Sequence, residues 1–383
     1  MSIYLAFKEV WRNKGRFFLF SLVIALITVL VLFIAGLAQG LADANKEYLE
    51  KLDAELIVFQ ENTKLSTLSS RVGRTTLNQV RRVDGVEAVG PVGFSNGTLV
   101  FTTGQEDIDV SLVGVEPGAP GGAPAFEGRN LKSKRANETV IDGNLAKLAG
   151  IQLGDKIIFK SIQGTDEEFY ELTVVGISDG RQYFFQPSIF VPLQVWDKIR
   201  PQGDPGAELP LTYNIIAVRL ADPSAIDSMT ALLEGQVDDV EVADIVTTYE
   251  AGPGYQEQQS TLNTQRGFTM LIGVLVIGGF FQIQTLQKVP RIGMLKAVGT
   301  SNFTVGLAVV LQIILVTMIG VTLGSLGTLG LSLGLPEGIP VRFTPETIGA
   351  AVASLMVIGP VGGLVSVRLA LKVEPLMALG LSS

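Results

Sequence analysis

The chain has 383 residues, 47% hydrophobic and 17% charged, with a mean hydropathy of +0.39 and a formal net charge of −8. That balance is too apolar for a wholly water-soluble fold and points to membrane spans joined to a polar domain. With no cysteine and no histidine, disulfides, thiolate or imidazole metal sites, and Cys/His or Ser/His/Asp catalysis are excluded.

Residues 1–16 carry Lys8, Arg12, Lys14 and Arg16 against one acid and read as a cytoplasmic segment. The next 26 residues, Phe17 to Ala42, hold no charge. As a helix they reach roughly 39 Å, more than the ~30 Å hydrocarbon core. We place the first span at 17–40. The run outlasts a typical signal-peptide core, and the nearest small-x-small candidate, Ala38-Gln39-Gly40, leads straight into the helix-like Leu41–Leu52, so the run predicts an uncleaved anchor.

Residues 41–266 form an extracytoplasmic domain with helical stalks. The first stalk continues the span from Leu41 to Leu52. Ala54–Gln60 and Val86–Val92 predict strands on either side of a helix over Arg74–Val83, and Asp84-Gly85 marks the turn. Tyr213–Leu220 and Val240–Val246 predict strands around a helix over Pro223–Glu234, with Asp222 as its N-cap. Two β-α-β halves around an insertion make a ferredoxin-like arrangement. The insertion, roughly 95–205, predicts strands at Thr98–Thr103, Asp109–Val115, Lys156–Lys160 and Glu171–Ile177, with one helical turn at Leu145–Ala149. The acidic runs Asp166-Glu167-Glu168 and Asp238-Asp239-Glu241 read as solvated surface. Gln256–Gln265 predicts the second stalk.

Uncharged stretches then predict a second span at 267–287, a third at 302–331 and a fourth at 347–367. Between the last two lies an external loop, 332–346. A cytoplasmic tail, 368–383, closes the chain. The segments before span one, between spans two and three, and after span four are rich in Lys and Arg. The positive-inside rule therefore puts both termini in the cytoplasm of a multi-pass cell-membrane protein. Gly36 and Gly40, and Gly320 and Gly324, have GxxxG spacing and predict close helix packing, within a subunit or across a dimer. No span contains a charged residue, which argues against ion-coupled transport. Gln282, Gln284 and Gln312 read as interhelical hydrogen bonds.

Residues 288–301 predict a short amphipathic helix at the membrane surface, with Pro290 opening it and Gly299 just past its end. Ile292, Leu295 and Val298 or Gly299 share one face, with Arg291 and Lys296 directed to water or a partner. An isolated helix this short is marginal in water, so docking on a partner would stabilise it. Pro290, Arg291, Ile292, Met294, Leu295, Lys296 and Val298 are the candidate coupling residues.

This segment, Arg291-Ile292-Gly293-Met294-Leu295-Lys296-Ala297-Val298-Gly299-Thr300, resembles the signature between spans two and three of MacB/FtsX-type ABC transporter permeases. The start (AFKEVWRNKGRFFLF), the external segment GRNLKSKRANETVIDGNLAKLAG and the end (ALKVEPLMAL) resemble the same family, in the same order along the chain, and the resemblance makes the start an amphipathic entry helix. Where the family commonly has Glu, this chain has Arg291 and Gln312, so no family salt bridge transfers there.

The resemblance implies a four-span helical membrane protein with an α+β extracytoplasmic domain, a ferredoxin-like part with an inserted β-rich part. It implies a permease subunit that dimerises and couples to a separate cytoplasmic ATPase, for export or for mechanotransmission outside the membrane. An FtsX-like regulator of an extracytoplasmic partner protein is the alternative. Membrane lipids surround such a subunit, and an external adaptor is a further expected partner. The chain has no GxxxxGK[ST] motif and no catalytic constellation, so it is expected to be non-catalytic, with no cofactor of its own and no nucleic-acid partner.

Overall fold

The computed structural model describes residues 11–12, 14–101, 106–183, 185–204, 210–252, 255–335 and 341–372. It divides into two compact units, one of Leu41–Gln258 and one of Met1–Gly40 with Gln259–Ser383.

Helix α1 (Lys14–Glu50) delivers its last turns to the first unit. There follow β1 (Leu56–Gln60), β2 (Val72–Gly73), α2 (Arg74–Val80) and β3 (Val86–Val100). Next come β4 (Ile108–Val115), β5 (Ala125–Gly128), β6 (Glu138–Ile141), α3 (Gly143–Ala149), β7 (Lys156–Gln163) and β8 (Asp166–Ser178). The rest are β9 (Ser188–Pro192), α4 (Leu193–Ile199), β10 (Thr212–Tyr213), β11 (Ile215–Leu220), α5 (Ile226–Gln236), β12 (Val240–Asp244) and α6 (Ile245–Glu250).

One sheet runs β12-β1-β11-β3-β4-β9-β6-β8-β5, with β7 pairing both β3 and β8. Its first four strands are antiparallel. With α2 between β1 and β3, and α5 between β11 and β12, they form the ferredoxin-like arrangement. Leu77 and Val80 of α2 and Met229 and Leu233 of α5 pack with Leu56, Val58, Ile216 and Val218 in one apolar cluster. The β-rich part is inserted between β3 and β11, as expected.

The two parts share a strand. The extended segments expected at Val86–Val92 and Thr98–Thr103 are one strand, β3, as far as Val100. It pairs with β11 from Val86 to Val92 and with β4 from Val92 to Leu99. Gly93, Asn96 and Gly97 hide this continuity, because they carry little strand signal. Packing explains the glycines. Gly93 pairs with Gly114 across β3 and β4, and the indole of Trp196 lies over both. A Cβ on Gly93 would come within 2.6 Å of that ring. The Trp196 Nε1–H donates to Ser95 Oγ at 3.0 Å.

Asp222 does not cap the following helix, which begins only at Ile226. Its carboxylate instead accepts from the Ser224 backbone N–H at 2.9 Å, closing a turn at Pro223. The strand expected to reach Val246 stops at Asp244, whose carboxylate accepts from the Thr247 N–H at 2.6 Å and caps α6. The strands β5, β6 and β9 and helix α4 were not foreseen; each has at most seven residues, too few for a periodic signal. The acidic run from Asp166 to Glu168 is exposed at the start of β8, and Glu167 pairs with Lys160 on β7 at 3.5 Å.

The second unit is helical. It contains α7 (Tyr255–Gln287), α8 (Val289–Ala297), α9 (Asn302–Ser332) and α10 (Pro345–Lys372), with the first part of α1. Helices α1, α7, α9 and α10 are each long and apolar enough to cross a membrane. Ile24, Val31, Ile277, Phe281, Ile313, Val316, Leu355 and Ile358 form their shared core. Leu26, Leu30, Leu275, Leu326 and Val357 are exposed on the outside of the bundle, as lipid-facing side chains are.

Small residues set the crossings. A Cβ on Gly320 would lie 2.6 Å from Ile24 Cβ, and one on Gly324 would lie 2.6 Å from the Ala25 carbonyl. These two glycines therefore seat α9 against α1 of the same chain. Gly278 of α7 and Gly362 of α10 approach backbone to backbone in the same way. Gly36 packs against the Phe343 ring, 2.5 Å from where a Cβ would stand. Gly40 is buried. The entry helix before Trp11, most of the tail and part of the 332–346 loop lie outside the described residues.

Candidate functional site

Two places in the structure stand out by their packing. The first is the short helix α8, between α7 and α9. Lys288 interrupts α7 with φ −101° and ψ 0°, and Pro290 stands in the first turn of α8, where its missing N–H leaves no bond unmade. The helix ends on a Schellman motif. Gly299, at φ +97°, donates to the Lys296 carbonyl at 3.0 Å, and the Thr300 N–H donates to the Leu295 carbonyl at 3.0 Å. Ser301 then caps α9 by accepting from the Thr304 N–H at 3.2 Å.

The structure divides the expected apolar face. Ile292 is only 7% exposed and packs with Val289, Val305, Val309 and Ala370 of the same unit. Met294 and Leu295 are exposed, Val298 is 87% exposed, and Arg291 points to solvent as well. The helix therefore does not depend on an outside partner for its anchorage, contrary to the sequence expectation. Ile292 is a root, while Met294, Leu295 and Val298 form a free apolar knob.

Polar contacts fix this root to the spans. Lys288 Nζ donates to Gln312 Oε1 of α9 at 3.2 Å and lies 5.4 Å from the centre of the Phe17 ring of α1. Lys296 Nζ donates to the Leu371 carbonyl of α10 at 2.8 Å. Arg16 of α1 donates to Gln287 Oε1 at 2.6 Å. The buried Gln312 thus bonds to a lysine at the bundle edge, Gln284 is buried, and Gln282 is exposed.

The second place is the joint where the end of α1 enters the α/β unit, which no motif in the sequence marks. Tyr48 is fully buried. Its hydroxyl donates to the Gly121 carbonyl at 2.8 Å, and its backbone N–H donates to the Gln182 carbonyl at 3.2 Å. Its ring meets Phe94, Tyr183 and Phe190 at 5.7 to 5.8 Å between centres.

Around it, Lys51 Nζ bridges Glu47 at 3.3 Å and Asp179 at 3.2 Å. Arg181 holds Asp179 at 2.8 Å and donates to the Lys51 carbonyl at 2.6 Å. Burial acts against the Asp179 charge, yet the hydrogen bonds and charges of Arg181 and Lys51 keep its carboxyl below the usual range. Asp142, whose carboxylate accepts from the N–H groups of Asn144 and Arg181, behaves differently. Burial pushes it up to about 6, and Glu47 adds to the shift. Lys46, paired with Glu50 at 2.7 Å, sits 5.6 Å from the Tyr249 ring, which in turn meets Tyr255 at the start of α7 at 5.7 Å. Both helical connections are thus gripped at this end.

Among the described residues no group of three or more acidic side chains is placed to hold a metal ion.

The family MacB-like periplasmic core domain matches residues 17–236, and the FtsX-like permease C-terminal family matches residues 267–375. A protein of Staphylococcus haemolyticus named as a hemin transport system permease, HrtB, is 27% identical over 378 residues, covering 98% of this chain and 99% of that one. An uncharacterized ABC transporter permease of Mycobacterium bovis is 20% identical over 381 residues, covering 99% of each. The periplasmic region of MacB from Actinobacillus actinomycetemcomitans covers 51% of this chain and 90% of its own, at 18% identity and a TM-score of 0.36. Matched along nearly its whole length by one family or the other, this chain belongs to the MacB/FtsX-type family of ABC transporter permease subunits.

Proposed function

We propose that this permease subunit works as a homodimer with a separate cytoplasmic ABC ATPase, contributes no catalysis of its own, and transmits ATP-driven motion to the far side of the membrane. The observation that carries this reading is α8. It is rooted by Ile292 and tethered through Lys288 and Lys296 to α9 and α10, while Met294, Leu295 and Val298 stand outside as a knob for a groove. A push on that knob moves the spans, because the root is part of their packing. The positive-inside bias supports cytoplasmic termini and an extracytoplasmic α/β domain, with segment limits as read from the sequence. Helices α1 and α7 each run unbroken beyond the length a bilayer needs, which suits them to carry displacement outward. There an adaptor or other protein would meet the domain. Export is the direction we favour. The staphylococcal relative's name makes hemin the first substrate to try.

The test has two parts. Sidedness is read with single cysteines, since the chain has none. Asp166→Cys should react with a membrane-impermeant thiol reagent in intact cells, and Val298→Cys should react only after lysis. The reverse pattern overturns the topology. Assembly is read by mass in nanodiscs, where two permease chains should co-purify with two ATPase chains and hemin should stimulate ATP turnover. A one-to-one complex with full turnover overturns the dimer, and unaltered turnover overturns hemin as substrate.

A further inference from the structure

The α/β unit carries a half-open cleft of about 690 Å³ that none of the preceding readings uses. Its polar lining includes Arg74, Arg81, Lys134, Glu116 and Tyr213, and Leu77 and Leu211 supply apolar wall. The size is that of a small-molecule site, and the mixture of apolar wall with a few converging polar groups is what such sites need.

The charges are uneven. Between Lys46 and Glu257 acids outnumber bases, yet three of the four charged side chains in this cleft are cationic. Glu116 is engaged by Lys134. Among the described residues no carboxylate lies within ion-pair distance of Arg74 or Arg81. Both guanidinium groups belong to exposed residues, seven positions apart on α2 and the turn after it. That spacing puts their Cα atoms about 10 Å apart along one helix face.

Both also act on the buried Tyr213. Burial raises the pKa of its hydroxyl, Arg74 and Arg81 draw it down, and Glu116 and Asp197 push it up. The hydroxyl therefore stays protonated and available as a donor.

We propose that this cleft binds a small amphiphilic anion, with its apolar body against Leu77 and Leu211, its carboxylate or phosphate groups on Arg74 and Arg81, and a hydrogen bond from Tyr213. Arginine suits this role, because its planar fork matches both anions. A free organic acid and a lipid headgroup share the chemistry, so both sources enter the test.

The test uses the full-length protein in phosphatidylcholine nanodiscs. One arm titrates metal-free protoporphyrin, chosen for an apolar ring of this size with two carboxylates, and its uncharged dimethyl ester as control. The other arm titrates lysophosphatidylglycerol. At least one of the two anions should bind saturably, and the ester should bind worse than the diacid. Arg74→Gln/Arg81→Gln should weaken the binding anion by about tenfold or more, equivalent to about 1.4 kcal/mol. Its thermal midpoint should match the wild type, since both side chains are exposed. If the double variant does not fold, the two single variants carry the test. Failure of both anions to bind, equal binding of ester and diacid in the porphyrin arm with no lipid binding, or unchanged binding in the arginine variants overturns the inference.

Discussion

The hydroxyl of Tyr48, in the last turns of α1, donates a 2.8 Å hydrogen bond to the carbonyl of Gly121, in the loop between β4 and β5. Residues 73 positions apart are thereby locked together inside the α/β unit. The same side chain closes an aromatic cluster with Phe94, Tyr183 and Phe190. The end of the helix is therefore part of the domain's core and moves with it.

Tyr48→Phe should keep the aromatic packing and lose only the bond to Gly121, costing about 1 to 2 kcal/mol. Tyr48→Ala should also leave a cavity, for a total of about 3 to 5 kcal/mol. Denaturant unfolding of the α/β unit measures both. If the joint transmits motion, Tyr48→Ala protein that still folds should hydrolyse ATP with its ATPase but lose transport. Retained transport would show that the grip on α1 is structural only.

The division of α8 makes two neighbouring substitutions diverge. Leu295→Asp changes an exposed knob, so the permease should insert and fold normally while ATPase capture falls sharply, since an unpaired charge buried in an interface costs several kcal/mol. Ile292→Asp puts the charge among Val305, Val309 and Ala370 and should lower the stability of the permease itself, even without ATPase. Lys296→Ala removes one exposed hydrogen bond, to the Leu371 carbonyl, and should cost about 0.5 to 1.5 kcal/mol. Pull-down and thermal unfolding of each variant, measured together, separate these outcomes. Equal capture by Leu295→Asp and wild type would remove α8 from the coupling path.

The glycines of α9 are not equivalent. Gly324→Leu should force α1 and α9 apart, because even a Cβ there falls 2.6 Å from the Ala25 carbonyl. Small-to-large changes in packed sites cost about 1 to 3 kcal/mol, occasionally more. Gly330→Leu meets open space in the chain and should be tolerated. Thermal stability in detergent ranks the two, and equal stability would show that the α1–α9 crossing is looser than its geometry.

Acid affects the joint in two directions. The Asp142 carboxyl, raised from 3.8 to about 6 by burial, binds a proton more readily folded than unfolded. Its contribution to stability therefore increases as pH falls from about 6 toward 4, and above 6 its charge is a standing penalty of about 2 to 3 kcal/mol. Asp179, held low by Arg181 and Lys51, works oppositely, and its stabilisation is lost as pH falls through its lowered folded value. Asp142→Asn should remove the first effect alone. Urea midpoints at pH 5 and pH 7.5 should show the variant gaining relative to wild type at the higher pH. No gain at pH 7.5 would mean that the charged carboxylate is better solvated than its burial implies.

The sequence alone determined whatever is written in consecutive residues. Uncharged runs longer than a bilayer is thick can satisfy their backbone in lipid only as helices, so four spans were legible. The short apolar runs within Ala54–Gln60 and Tyr213–Leu220, with helices between the paired strands, made the ferredoxin-like frame legible too. Tertiary structure decided the rest, because those choices depend on partners far away in the chain. Ile292 and Leu295 look alike as letters, three positions apart, and only the packing of Val305 and Ala370 makes one a root and the other a knob. Gly320 and Gly324 announced a close approach, but only Ile24 and Ala25 show that its partner is α1 of the same chain. Tyr48 carries no motif at all. Its role appears when β3, β9 and the 117–124 loop converge on it, since a buried hydroxyl must find an acceptor and nothing local supplies one.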